Sequence, residues 1–164
     1  MKLELTPIGI IHSPYREQKG TPIQSRWAAD VEGTVELYPE FAPGLRDLEG
    51  FERIWLLCWL DRVCPFRLEV VPYLDTQAHG VFATRAPSRP NSIGLSCVRL
   101  LAVEGARLRV ADLDILDGTP LLDIKPYVPD FDAFEAGRVG WYAHTQGARQ
   151  ADNRFAQHSP DKAE

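Results

Sequence analysis

Strand signals dominate the pattern of apolar and polar positions. Val31, Gly33, Val35 and Leu37 alternate with Glu32, Thr34 and Glu36, and residues 3–12 are short and β-rich, so each segment reads as a strand with one buried face. Residues 54–60 are apolar on both faces, as expected of a central strand, and Pro65 stops the run. Residues 93–103 and 107–116 flank a glycine-bearing turn at Glu104-Gly105-Ala106 and predict a hairpin. In its second arm the apolar phase moves from Leu108 and Val110 to Leu113 and Ile115. A β-bulge near Ala111-Asp112 is the simplest account of that slip, and it would re-aim Asp112 and Asp114. Leu121 to Lys125 follows as a further strand after the Asp117-Gly118 turn. Between strands lie a long polar loop at 13–30 and one short helical stretch within 39–49. Trp55, Trp59 and Phe82 are expected in the core.

Short strands with punctuating turns predict an all-β fold, a single β-barrel domain over residues 1–145 with long functional loops. Residues 146–164 are polar and nearly without apolar anchors, and are expected to form a flexible tail. No G-x-G-x-x-G follows a strand and no βα alternation is present, so a Rossmann domain is not expected.

Composition agrees with one domain: 164 residues at 45% hydrophobic can bury a full core. Cys58, Cys64 and Cys97 are odd in number and lack C-x-x-C spacing, which points to reduced thiols rather than disulfides or zinc. The four histidines are scattered, so no metal is expected. Met1-Lys2-Leu3-Glu4 turns polar at once and residues 54–60 are too short to span a bilayer, so the expected location is cytoplasmic, without leader or membrane anchor. With 23 acidic and 18 basic residues the net charge is −5, and the cations are placed singly. That argues against a broad basic nucleic-acid surface but leaves room for a local positive mouth.

Two segments carry candidate chemistry. Gly80 to Leu95 holds Arg85 and Arg89 on a loop stiffened by Pro87 and Pro90, a setting that suits a carboxylate or phosphate held in one orientation. Asp114 to Tyr127 holds Asp114, Asp117, Asp123, Lys125 and Tyr127. Each has a plainer reading: the arginines pair with Asp114 or Asp117 as a structural cluster, and Asp117-Gly118-Thr119-Pro120 is only a tight turn.

Four ordered blocks give these segments a context. Ile8 to Tyr15, Leu48 to Trp55, Gly80 to Gly94 and Asp117 to Tyr127 resemble, in order and spacing, the TrmO family of S-adenosylmethionine-dependent methyltransferases. The resemblance spans roughly residues 7 to 130. It implies a β-barrel that dimerises, S-adenosyl-L-methionine as methyl donor, and a tRNA substrate methylated at N6 of N6-threonylcarbamoyladenosine, beside the anticodon. It is to a short form, without the additional C-terminal domain of longer members.

By the same resemblance, donor contacts fall on Gln24, Ser25, Arg26, Leu60, Asp61, Arg85, Leu95, Leu113, Asp114, Ile115 and Leu116. The donor's chemistry makes two of these the natural polar partners. Arg85 suits its carboxylate or adenine edge, and Asp114 is an acceptor. Asp123, Lys125 and Tyr127 are candidates near the reacting centre, with no single base assigned. Leu60-Asp61 stands where longer members have an aromatic–His pair; a backbone contact there survives that change and a side-chain contact does not. Two alternatives remain open: methyl transfer to a different nucleoside or small molecule, and a non-catalytic, donor-binding regulatory barrel.

Overall fold

The computed structural model describes residues 2–145, 147 and 149–157. The architecture is a closed six-stranded antiparallel barrel. In chain order the strands are β1 (Gly9–His12), β2 (Gly33–Leu37), β3 (Arg53–Trp59), β4 (Glu69–Val70), β5 (His79–Gly80), β6 (Ile93–Glu104), β7 (Arg107–Ala111) and β8 (Thr119–Pro126). The barrel runs β1-β2-β7-β6-β3-β8 and closes where β8 pairs with β1, Gly9 opposite Leu121 and Ile11 opposite Thr119. Strands β4 and β5 form a separate two-stranded ribbon outside it. Among the described residues the only α-helix is a single turn at Pro129–Asp132, and none is long and apolar enough to cross a membrane.

Period-two patterning explains the core. Val35 and Leu37 of β2, Ile54, Leu56 and Cys58 of β3, Val98 of β6, Leu108 and Val110 of β7 and Leu121 of β8 point inward and are buried. The central strand β3 is paired on both sides, with β6 and β8, but its second face is only partly covered. Trp59 is half exposed and Phe82 is 76% exposed, so these two aromatics are not core residues.

Several boundaries differ from the sequence reading, each for a local reason. Strand β1 begins at Gly9 because residues 3–6 find no pairing partner. The stretch 39–49 forms two 3-10 segments, Pro39–Leu45 and Leu48–Gly50, the first with Pro43 inside it. The β6–β7 hairpin forms, but β7 stops at Ala111. The apolar phase slips there because Asp112 enters the left-handed region at φ 63°, not because of a bulge. Irregularities in the ladder sit instead between Leu100 and Ala102 and between Leu57 and Cys58.

The segment expected to be a flexible tail is docked where it is described. Ala151 exchanges backbone hydrogen bonds with the 20–23 loop, Gly20 N donating to Ala151 O and Ala151 N to Thr21 O. Phe155 sinks into a second small core with Val70, Val81 and Ala86. Arg154 donates to the carbonyls of Val71 and Pro72 and lies over the Tyr73 ring. One aromatic and one arginine supply the anchors that the polar composition concealed. Residues 158–164 lie outside the described residues.

Candidate functional site

At one end of the barrel the 18–27 loop, the 60–64 turn, the 82–91 loop and residues 114–116 surround a cavity of about 1010 Å³. That is the upper end of the roughly 300–1,000 Å³ found for ligand pockets. Gln24, Ser25, Arg26, Leu60, Asp61, Arg85, Leu95, Asp114, Ile115 and Leu116 all line it. Leu113 does not: it is fully buried in the barrel core and packs beneath the site. The wall carries Arg26, Arg62, Arg85 and Arg89 against Asp61 and Asp114, a local positive excess on an acidic chain.

Each element of the wall is fixed by local chemistry. Arg89 donates to the carbonyls of Thr84 and Ala86, Thr84 turns its hydroxyl back to Val81 O, and Ser92 donates to Arg89 O. Those bonds and two prolines hold the loop that presents Arg85, whose guanidinium donates to Gln24 Oε1 at 2.6 Å. Gly94 pairs with Cys58 at the cavity edge, and a Cβ there would stand 2.6 Å from Cys58 Sγ and 3.0 Å from Leu60 Cδ2, so a larger residue would have to displace those two side chains. Ser13 donates to Ile115 O and Thr119 to Leu116 O, which sets the backbone after Asp114.

The structural-cluster reading of the arginines does not hold in the form expected. Asp117 is held by Arg16 and by Ser13 N–H, and Arg62 donates to Asp117 O and Thr119 Oγ1. Arg85 joins neither Asp114 nor Asp117 in a salt bridge. The Asp117-Gly118 segment is a tight turn in its own right, with Gly118 at φ 78°. His79 belongs to β5, bonds Asp75 and stacks on Trp141, 4.7 Å between ring centroids.

Asp114 is the chemically distinctive residue. Its carboxyl is buried in the wall, and Oδ1 has no hydrogen-bond partner among the described residues. Burial pushes its pKa up to about 6, against the pull of Ser96, backbone N–H groups and the Arg85 charge. Burial and the neighbouring Asp114 charge also raise Cys58, to about 12, so that thiol is inert. A buried carboxyl oxygen without a partner beside an arginine fits a ligand that brings its own N–H or cationic group and its own acceptor. S-adenosylmethionine has both.

Asp123, Lys125 and Tyr127 lie elsewhere. They sit along β8 and just beyond its end, outside the cavity lining, with Lys125 Nζ 2.9 Å from Asp123 Oδ2. Tyr127 reaches the cavity only through Trp55, which lines it, in an edge contact at 5.7 Å. Sequence reasoning missed other wall residues: Ser96, buried on β6, and Phe82, Trp141 and Tyr142 at the mouth. Two adjacent aromatics in an otherwise polar stretch after residue 138 were the available signal for the last pair.

Known proteins match this fold and this wall. Residues 10–133 match the model of the tRNA-methyltransferase O N-terminal domain. A probable S-adenosyl-L-methionine-binding protein of Pyrococcus abyssi is 55% identical over 152 residues, 91% of this chain and 83% of that protein. A mouse tRNA (adenine(37)-N6)-methyltransferase is 37% identical over 77% of this chain, which spans 31% of that protein. The crystal structure of TrmO from Pseudomonas aeruginosa superposes with a TM-score of 0.72 at 41% identity, over 86% of this chain and 63% of that one. The barrel, the four sequence blocks and these matches agree: the chain belongs to the TrmO family of S-adenosylmethionine-dependent methyltransferases.

Proposed function

We propose that the protein transfers a methyl group to N6 of N6-threonylcarbamoyladenosine, next to the anticodon of tRNA. The observation that carries this reading is the cavity wall, where Arg85 and the partnerless Asp114 oxygen face one space beside exposed aromatics. The mouse relative, named for methylation of adenine 37 of tRNA at N6, supports the acceptor. S-adenosylmethionine, when bound, supplies a methyl carbon activated by positive sulfur.

Gln24, Ser25, Arg26, Leu60, Asp61, Arg85, Leu95, Asp114, Ile115 and Leu116 hold the donor, with Leu113 packing beneath them. Arg85, oriented by Gln24, offers a planar fork to an anionic or acceptor group. Asp114 accepts from the donor's N–H or cationic group. The chain's main contribution is alignment, which is worth roughly 7–11 kcal/mol of barrier when reactants are well oriented. The N–C bond would form as the methyl–sulfur bond breaks, leaving a neutral thioether, and the N6 proton would pass to an acceptor near the reacting nitrogen. Asp123, Lys125 and Tyr127 are proposed for that centre, with a second protomer completing it.

A homodimer suits the rim of the cavity, where exposed Trp59 stands beside Ile93 and Leu95 of the wall. A tRNA substrate also fits a cytoplasmic protein. A second reading, a non-catalytic donor-binding barrel, is favoured by the distance of the β8 residues from the wall. Nucleoside mass spectrometry decides between them after incubation of the purified protein with donor and tRNA carrying the modified adenosine. Gain of one methyl on that nucleoside is expected. Donor binding with no methyl transfer would leave the binding reading standing.

A further inference from the structure

Phe82 stands out from every other aromatic at the cavity. It is 76% exposed, yet the turn that carries it is tied by hydrogen bonds on both flanks. Val81 before it is buried in the second core and donates its N–H to Leu68 O at 2.8 Å. Thr84 after it bonds back to Val81 O with both its N–H and its hydroxyl. From outside, Trp141 Nε1 donates to Ala83 O at 2.8 Å, and His79 stacks on Trp141 with Asp75 bonded behind it. An exposed phenyl ring on a mobile loop would mean little. A phenyl ring held out on a rigid turn, at the mouth of a cavity with an arginine-rich wall, is a prepared surface.

What that surface fits follows from its surroundings. Besides the donor's Arg26 and Arg85, the same wall carries Arg62 and Arg89, and Arg149 lies over the ring of Trp27, another wall residue, 5.4 Å from its centroid. Flat aromatic area next to arginines is the combination that holds an unpaired base and its phosphates. An adenosine whose exocyclic nitrogen must enter a cavity has to leave its stack, and a replacement stacking face offsets part of that cost. We infer that Phe82 is the stacking platform for the acceptor base, an unstacked nucleobase of single-stranded RNA, and that Trp141 positions it through Ala83. This inference rests on the RNA-methylating function proposed above.

The test uses the full chain and an anticodon stem–loop RNA carrying N6-threonylcarbamoyladenosine. Methyl transfer gives KM for the RNA, anisotropy without donor gives its Kd, calorimetry gives donor affinity, and sedimentation gives the oligomeric state. Phe82→Ala is expected to raise KM and Kd for the RNA about five- to hundredfold, the loss of one base–aromatic stack. Donor affinity, melting and oligomeric state should stay as in the wild type. Phe82→Trp should restore RNA binding and Phe82→Leu, apolar but without a π-face, should not. Trp141→Phe, which loses the indole N–H, should show a smaller loss of the same kind.

Unchanged RNA binding in Phe82→Ala would overturn the inference, as would full rescue by leucine. Dissociation of a dimer in Phe82→Ala would overturn it too, because it would show that a second copy covers the ring. A wild-type protein that methylates no RNA is a separate failure, visible before any variant is made, and takes the proposed function with it.

Discussion

Asp112 and Asp114 stand two residues apart at the end of β7, both turned into the protein, and they have opposite fates. Asp112 is fully engaged: Asp30 N–H and the guanidinium groups of Arg53 and Arg99 all reach its carboxylate. Burial alone would raise its pKa, but those three partners outweigh it and hold the carboxyl below the usual range. Asp114 is half-buried as a residue but holds a fully buried Oδ1 with no partner, and is pushed up to about 6. The difference separates a carboxylate that maintains the fold from one kept free for a ligand. The first has its counter-charges built in; the second costs stability until something binds.

The sharpest way to break this comparison is at Asp112. Asp112→Ala should destabilise the protein by about 2 kcal/mol, the scale of hydrogen bonds to a charged group after allowing for arginines about a third exposed, because Arg53 loses this partner and Arg99 keeps only Asp30. It also places alanine at φ 63°, a conformation aspartate and asparagine tolerate better. Chemical denaturation should show the loss, with donor affinity per folded molecule unchanged.

Asp114→Asn should do the reverse. Donor affinity should fall about ten- to a hundredfold by calorimetry, the cost of a hydrogen bond to a charged group, without loss of melting temperature. The pH dependence sharpens the contrast. Asp114 is raised above its unfolded value, so the stability it permits is fullest below that value and falls as pH rises through about 6. The variant should therefore gain on the wild type above pH 6, by up to about 3 kcal/mol, and lose that advantage near pH 4. A stability difference that stays flat from pH 4 to 8 would show that Asp114 pays no burial cost. Asp112 has the opposite sign: its contribution is present above the ordinary carboxylate pKa and is lost as pH falls.

The smallest effects should come from the loop arginines. Arg85→Lys keeps the charge but loses the fork, so donor affinity should drop roughly tenfold while melting holds. Arg89→Lys should instead lower stability by about 1 kcal/mol, because Arg89 braces Thr84 and Ala86, and should leave the donor affinity of the folded protein alone. A matched loss of affinity in both variants would erase the distinction between presenter and brace.

The strands were legible because a barrel obeys one local rule: alternate side chains face in or out. Thus β2 could be read from the alternation around Val35, while β3, β6 and β8 were read as short apolar runs bounded by turns, all with small boundary errors. Of the wall residues, Arg85 and Asp114 were legible from their own chemistry and the rest only through motif resemblance, since nothing in the spacing of Gln24 and Arg85 announces that they meet. Trp59 and Phe82 were misread because hydrophobicity indicates a wish for burial and not the partner that satisfies it. Docking of residues 149–157 was invisible for a related reason. It rests on backbone bonds and on Phe155, an isolated anchor in a polar stretch. The left-handed turn at Asp112 produced the same phase slip that a bulge would, and periodicity alone cannot tell them apart.

Closure of the barrel has a consequence for how the chain is made. Strand β1 needs two neighbours, and its second, β8, begins at Thr119, 110 residues after Gly9 (119 minus 9). At about 5–20 residues per second of synthesis, that edge of β1 waits roughly 5–22 seconds for its partner to be made. Pairing between ends so distant in sequence also folds slowly once both are present. During that interval Gly9 to His12 offers an open strand edge to any other nascent chain. The brevity of β1, four residues ending at His12, limits how well such an edge can be captured before the ring is complete.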